Sequence, residues 1–313
     1  MRAVLIDSTK QGIDKFHLGT APVPEPASGE VLVEVKAVSL GAWEKELAHT
    51  DNLCALARRT RNKTVSLGLE FAGVVRSDGN HFRGGQRVLG GTHLFKDEKA
   101  LADYVAVRED YLAELPDGLD FSQAAALPIG METALTAFDK AGLRRGGNVL
   151  VHGASGGVGV YAVQIAAAAG ATVTTVSGKS SRKRLAELGA ATSYYHGDTS
   201  FPDLAGAFDI VFDLSARLRF GQVRPKLSDR GVFINANPQH DIAGLIAAQF
   251  SRKRIPLLFV PGSSSEMQRR ALDMVTSGRV RPIVEKTYPM SQYQQALTDL
   301  ITKERFGRIV VCT

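Results

Sequence analysis

At 313 residues the chain is long enough for two ordinary domains and too long for one small core, which sets aside a bare binding module. Hydrophobic residues make up 44%, charged residues 22% and aromatic residues 7%, a globular composition that excludes collagen-like, low-complexity and disordered chains. Lys plus Arg number 38 against 32 Asp plus Glu, a net charge of +6, but the basic residues fall in small groups between acids without interleaved aromatics. That pattern describes a solvated surface rather than a nucleic-acid footprint.

The first third reads as short strands between turn residues: MRAVLI, a Pro-rich loop through Pro22, Pro24 and Pro26, then VLVEVKAVSL, LEFAGVVR, QRVLG and DYVAVR. From Phe121 the text becomes Ala-rich and helical, and strands then alternate with helices: NVLVHGA, GVGVYAVQIAAAAGA, TVTTVS, SRKRLAELGA. Apolar strands alternating with helices imply a parallel sheet covered on both faces. FDIVFDL and GVFINAN extend this sheet, and IPLLFV is expected to end it near residue 262. The tail holds an amphipathic helix (MQRRALDMVTSG), an extended stretch (VRPIVEKTYPM), a second helix (SQYQQALTDLITK) and a last strand, GRIVVC.

The two cysteines, Cys54 and Cys312, are too few for a disulfide framework or a four-cysteine zinc lobe, so a reducing compartment is the default. No run approaches the roughly 18 to 20 apolar residues of a membrane span, and MRAVLID lacks the apolar core of a signal peptide. The expectation is a cytoplasmic protein without a membrane partner.

Residues 148 to 177 carry the most information. A strand, Asn148 to Ala154, runs into Ser155-Gly156-Gly157-Val158-Gly159, then a helix, then a second strand ending at Val176-Ser177. This is a βαβ unit with its glycines at the strand-to-helix turn, the arrangement that holds a dinucleotide pyrophosphate. A side chain at Gly156 would block the anion, and one at Gly159 would hold helix and strand apart. Free N–H groups at the helix start favour negative charge. Ala154 stands where the first glycine of the usual pattern would be.

The end of the second strand bears on which dinucleotide binds. NAD enzymes usually place an acid there, about 20 residues after the turn, for the ribose 2′-hydroxyl. Here the segment is Ser177-Gly178-Lys179-Ser180-Ser181-Arg182, with no acid. Ser177 can donate to a 2′-phosphate, and Lys179 or Arg182 can neutralise it, which favours NADPH. One or more of these cations is equally readable as part of a solvated helical turn.

These residues, together with Gly68-Leu69-Glu70-Phe71-Ala72-Gly73-Val74, His152 to Gly159 and the closing Gly307-Arg308-Ile309-Val310, resemble the medium-chain dehydrogenase/reductase superfamily. Within it the chain is most similar, over essentially its whole length, to the zinc-free, NADPH-dependent quinone oxidoreductase branch. The resemblance implies an α/β fold. A mostly β GroES-like catalytic domain (1–120) precedes a Rossmann-type doubly wound parallel sheet domain (121–262), and a C-terminal segment (263–313) completes the catalytic domain. It also implies a homodimer with the active site in the interdomain cleft. Thr133 matches a cofactor contact near the nicotinamide, and Phe259 and Val260 match the strand end facing the carboxamide, although Thr133 also reads as a plain helix residue and Phe259 as core. The family's cofactor-binding tyrosine is shifted, with Tyr194 and Tyr195 offered and His196 in its place.

Alcohol-dehydrogenase relatives take catalytic zinc from two cysteines and a histidine. This chain has Ser39, Leu40 and Gly41 in the first region and Leu69 before Glu70, while His49, His81 and His93 are scattered, so no metal is expected. Where the family commonly has Asn-Pro-x-Asp, this chain has Gly41-Ala42-Trp43-Glu44. Glu44 is expected to replace the acid and Trp43 to wall the cleft, or to serve only in packing. Together these features point to NADPH-dependent hydride transfer to a quinone or an α,β-unsaturated carbonyl, with a non-catalytic or regulatory NADPH-binding protein as the alternative.

Overall fold

The computed structural model describes residues 1–7, 9–49, 67–94, 99–237, 241–260 and 262–313. Strands β1 (Arg2–Ile6) and β2 (Phe16–Thr20) pair antiparallel as a separate ribbon. The long strand β3 (Glu30–Leu40) buries Val31, Val33 and Val35 on one face, as its alternating text predicts. It pairs antiparallel with β4 (Glu70–Val75), β6 (Tyr104–Arg108) and β14 (Arg308–Cys312). With β5 (Arg87–Gly91), β7 (Leu112–Glu114) and β13 (Val284–Pro289), these strands form a seven-stranded sheet of order β13-β14-β3-β4-β5-β7, β6 lying on β3. The C-terminal tail thus pairs directly with the strands of the first third.

The second sheet is wholly parallel, in the order β10-β9-β8-β11-β12, built from β8 (Asn148–His152), β9 (Thr172–Ser177), β10 (Thr192–Tyr195), β11 (Phe208–Asp213) and β12 (Leu227–Asn235). Its strands read as continuous apolar runs because both faces are covered. Val149, Val151 and Phe212 pack with Tyr161 and Phe138 on one side, the Phe138 ring meeting Phe212 edge-on at 5.9 Å. Leu150, Val211 and Phe233 pack with Phe201 and Phe220 on the other. The chain runs outward from β8 through β9 and β10, then returns to the opposite side with β11 and β12. A crevice therefore opens at the carboxyl ends of β8 and β11, after His152 and Asp213.

One expected strand does not form. Residues 255–260, the IPLLFV run, are not a strand, and the sheet ends at β12 with a single bridge between Val232 and Arg254. Arg254 N–H donates to Gly231 at 3.1 Å and Phe233 N–H to Arg254 at 2.9 Å. The next donor of a parallel ladder would be residue 256, a proline without an N–H. Conversely, GAWE opens a helix, Ala42–His49, that the sequence pattern does not announce. Among the described residues no helix is long and apolar enough to cross a membrane.

Candidate active site

The glycine turn sits at the crevice. The N–H groups of Gly153 and Ala154 reach the Val176 carbonyl at 2.9 and 3.3 Å, tying the turn to β9, and Gly153 adopts the left-handed φ of +86°. A β-carbon on Gly159, where the helix Gly159–Ala168 begins, would lie 2.5 Å from the Gly153 carbonyl oxygen and 2.6 Å from that of Ala154. Only glycine lets helix and strand approach this closely. A β-carbon on Gly156 would find its nearest protein atom at 3.4 Å, so that side of the turn is open. Ser155 and Val158 flank these glycines, both half-buried.

Gly157 is reserved for a different reason: a side chain there would collide with the guanidinium of Arg308, at the start of β14. Gly41 has no side chain for the same cause. Arg308 Nη1 stands 2.8 Å from Glu70 Oε1, with the two side chains 5% and 3% exposed, while Glu70 Oε2 accepts the Ile129 N–H at 2.9 Å. Burial pushes the Glu70 carboxyl up to about 7, against the opposing pull of Arg308 and the Ile129 bond. The Nε and Nη2 atoms of Arg308 are buried and have no partner among the described residues. Leaving buried donors unmade is costly, and a forked guanidinium over an anion-binding turn is matched to a pyrophosphate. The neighbouring Gly307 N–H donates to the Ser155 carbonyl at 2.9 Å. Burial first, and the charge of Arg308 second, lower Arg305 to about 10.

At the end of β9, Ser177 is buried and its hydroxyl donates to the Gly178 carbonyl at 3.3 Å, whereas Lys179 and Arg182 are exposed and form no ion pair among the described residues. β9 itself carries no acid, as its sequence indicates. The fold nonetheless brings one there, because Glu304 Oε2 accepts the Ser180 hydroxyl at 2.8 Å across 124 residues. Asp213, at the end of β11, was not singled out by sequence. Burial works to raise it, yet bonds from His152, Ser215 and Leu218 together hold it below the usual carboxylate range. His152 Nδ1 lies 2.7 Å from Ser215 Oγ and 3.3 Å from Asp213 Oδ1, so one nitrogen serves both and this group fixes the crevice wall.

The remaining candidates divide. Thr133 is half-buried on the helix Pro128–Ala141, whose Gly130 packs against the Gly157 carbonyl. Trp43 is half-buried against the core of the seven-stranded sheet, and its indole Nε1 is buried without a partner among the described residues. Both oxygens of Glu44 are engaged by backbone, Oε2 by Gly41 N–H at 2.7 Å and Oε1 by Gly68 N–H at 3.1 Å, so its carboxylate clamps the loop. Tyr195 is half-buried at the end of β10, its ring 4.8 Å from that of His196. Val260 packs on the core of the parallel sheet, whereas Phe259 is 64% exposed and is not part of a core. Glu132, on the same helix as Thr133, is buried, its Oε2 accepting from Ser264 N–H at 3.2 Å and from the Gln268 Nε2 amide at 2.8 Å, and burial pushes it up to about 7.

The described residues do not fit a catalytic zinc. Gly41 offers no donor, Glu70 is engaged by Arg308 and Ile129, and no three His, Cys, Asp or Glu side chains among them form a metal-holding group; Cys54 lies outside the described residues.

A parallel sheet with a glycine turn and a guanidinium two of whose nitrogens lack partners among the described residues, joined to a seven-stranded mixed sheet by its own tail, is the architecture of a dehydrogenase or reductase with a nicotinamide dinucleotide cofactor. Comparison with known proteins agrees. A family model described as zinc-binding dehydrogenase matches residues 188–311. The chain is 31% identical over 258 residues to a 2-methylene-furan-3-one reductase of Solanum lycopersicum, covering 78% of this chain and 62% of that protein. It is 29% identical to a chloroplast envelope quinone oxidoreductase homologue of Arabidopsis thaliana, covering 99% and 98%. The solved quinone oxidoreductase of Coxiella burnetii superposes with a TM-score of 0.88 at 25% identity, over 100% of this chain and 99% of that one. The chain belongs to the medium-chain dehydrogenase/reductase superfamily, in its quinone oxidoreductase branch.

Two outcomes are expected of this geometry. Arg308→Met, which strands the Glu70 carboxyl, should lower the unfolding free energy by about 3 to 5 kcal/mol, and adding Glu70→Gln should restore part of it, as denaturant titration will read. Recovery absent from the double variant would contradict a direct pair. Glu132 binds its proton more tightly folded than unfolded, so its contribution falls as pH rises from about 4.5 to about 7. Unfolding followed from pH 5 to pH 8 should therefore show a decline in wild type that Glu132→Gln reduces by on the order of 2 kcal/mol. Equal slopes would contradict a protonated buried Glu132.

Proposed function

We propose that the protein is a zinc-independent, NADPH-dependent reductase of quinones or α,β-unsaturated carbonyls. The observation that carries the proposal is Arg308, whose buried Nε and Nη2 face no acceptor among the described residues while its side chain fills the space over Gly157. In this reading Ala154 to Gly159 and Arg308 hold the pyrophosphate, and Ser177, Lys179 and Arg182 receive the 2′-phosphate beside Tyr195. Thr133, Phe259 and Val260 border the nicotinamide. When bound, the reduced nicotinamide supplies a hydride. The protein's own part is orientation and exclusion of water, with Glu44 holding the Gly41 loop and Trp43 presenting an apolar wall.

The substrate class follows from what the described residues lack. An isolated ketone needs a Lewis acid or strong donors to stabilise the developing oxyanion. A quinone or enone disperses that charge through its own conjugation, so weaker hydrogen bonding is enough. The likeness to the tomato 2-methylene-furan-3-one reductase and the Arabidopsis quinone oxidoreductase homologue supports this class. The composition supports a cytoplasmic location. A homodimer is supported by exposed apolar side chains, Ile242, Ile246 and Phe250 on and after one helix and Leu257 nearby in sequence. Gly41 favours a second reading, a non-catalytic NADPH-binding protein, because it carries no polar side chain toward a substrate.

An NADPH-oxidation assay against quinones, alkenals and saturated alcohols (with NADP⁺), run in chelator beside a Trp43 fluorescence titration, tests these readings. Turnover of bulky conjugated acceptors, none of saturated alcohols, and a change in Trp43 emission are expected. Efficient alcohol oxidation, or about one zinc per chain by elemental analysis, contradicts the proposal. Binding without any turnover moves the protein to the second reading.

A further inference from the structure

The end of β9 is where an adenosine ribose is told from its 2′-phosphorylated form. The carboxylate that stands there belongs to Glu304, outside the parallel sheet altogether. Gly178, the first residue after β9, has φ −64° and ψ 156°, ordinary extended values that any residue adopts, so conformation does not require glycine. A β-carbon at Gly178 would lie 2.8 Å from the carboxyl carbon and from Oε1 of Glu304, so a side chain there would oblige the carboxylate to shift from its present place. The missing side chain admits the carboxylate, and the Ser180 hydroxyl bonds it at 2.8 Å.

The placement is fixed by the tail as a whole. Phe306 is buried in the core of the parallel sheet with the Arg184 guanidinium 4.0 Å over its ring, Gly307 is bonded to Ser155, and Arg308 is paired with Glu70. Three successive anchors therefore deliver Glu304 to the strand end. No cation among the described residues pairs with it: Arg184 reaches Glu285 at 2.8 Å, and Lys179 and Arg182 remain solvated.

We propose that Glu304 is a cofactor-discriminating residue. Delivered from the tail to Gly178 and Ser180, it accepts from a ribose 2′-hydroxyl as the acid missing from β9 would, and it repels a 2′-phosphate. This inference rests on the dinucleotide reading of the glycine turn and bounds the preference for NADPH, since the attraction of Lys179 and Arg182 is opposed by a fixed negative charge. The wild-type preference for NADPH is accordingly narrowed, and removing the charge widens it.

The test is calorimetric titration of the full chain, wild type and Glu304→Gln, with adenosine 5′-phosphate and adenosine 2′,5′-bisphosphate, which differ only in the 2′-phosphate. Glu304 is exposed, so the variant leaves the core intact. Glu304→Gln should tighten the bisphosphate roughly fivefold, the scale of one partly screened charge contact, while the monophosphate stays within about twofold or weakens. An unchanged bisphosphate affinity, or equal tightening of both nucleotides, overturns the role of Glu304 and leaves the dinucleotide site standing. If neither nucleotide binds wild type or variant, the dinucleotide reading itself falls, and this inference with it.

Discussion

The buried ion pair between Arg308 and Glu70 is the constraint on which the cleft depends. Arg308 begins a strand of the seven-stranded mixed sheet, Glu70 begins another, and the guanidinium lies against the glycine turn of the parallel sheet. Two positions have lost their side chains to make room for it, Gly41 on one side and Gly157 on the other. Such a pair is a poor source of stability, because taking both charges out of water costs about as much as their attraction returns. Its value is positional. Burial works against the charge of Glu70, and two guanidinium nitrogens face no acceptor among the described residues. In the proposed reading this positive charge is held ready for an anion.

The same short tail sets up both ends of the anionic half of the site. Residues 304 to 308 touch the second strand end through Glu304, the glycine turn through Gly307, and Glu70 through Arg308. The two sheets are thereby fixed to each other at the crevice where the strand order reverses. In the proposed reading the polar groups of this tail serve the cofactor, and Gly41, which has no side chain, together with the half-buried Trp43 lies on the substrate side.

What the sequence disclosed follows from distance along the chain. The βαβ unit from Asn148 to Ser177 is local, and its glycines have local causes, so spacing alone located the turn. Glu304 and Arg308 act on residues more than a hundred positions away, and no periodicity connects them. The strand-end segment Ser177 to Arg182 accordingly reads as free of acid when the folded site is not. Glu44 reads as a substrate-side acid from its place in the text, yet the helix it opens turns both of its oxygens onto backbone N–H groups. IPLLFV has the composition of a strand, and a single missing N–H at Pro256 stops the ladder. Composition and periodicity report burial well, but they do not report which polar atoms meet.

In the proposed reading Arg308 and the glycine turn together form a pyrophosphate site. Calorimetric titration of inorganic pyrophosphate into wild type and Arg308→Lys, a change that keeps a positive partner for Glu70 and removes the forked donors, measures this site alone. Binding to the variant should be weakened at least about tenfold, roughly 1.4 kcal/mol, with the folded state preserved. Equal affinity in the two proteins would contradict it.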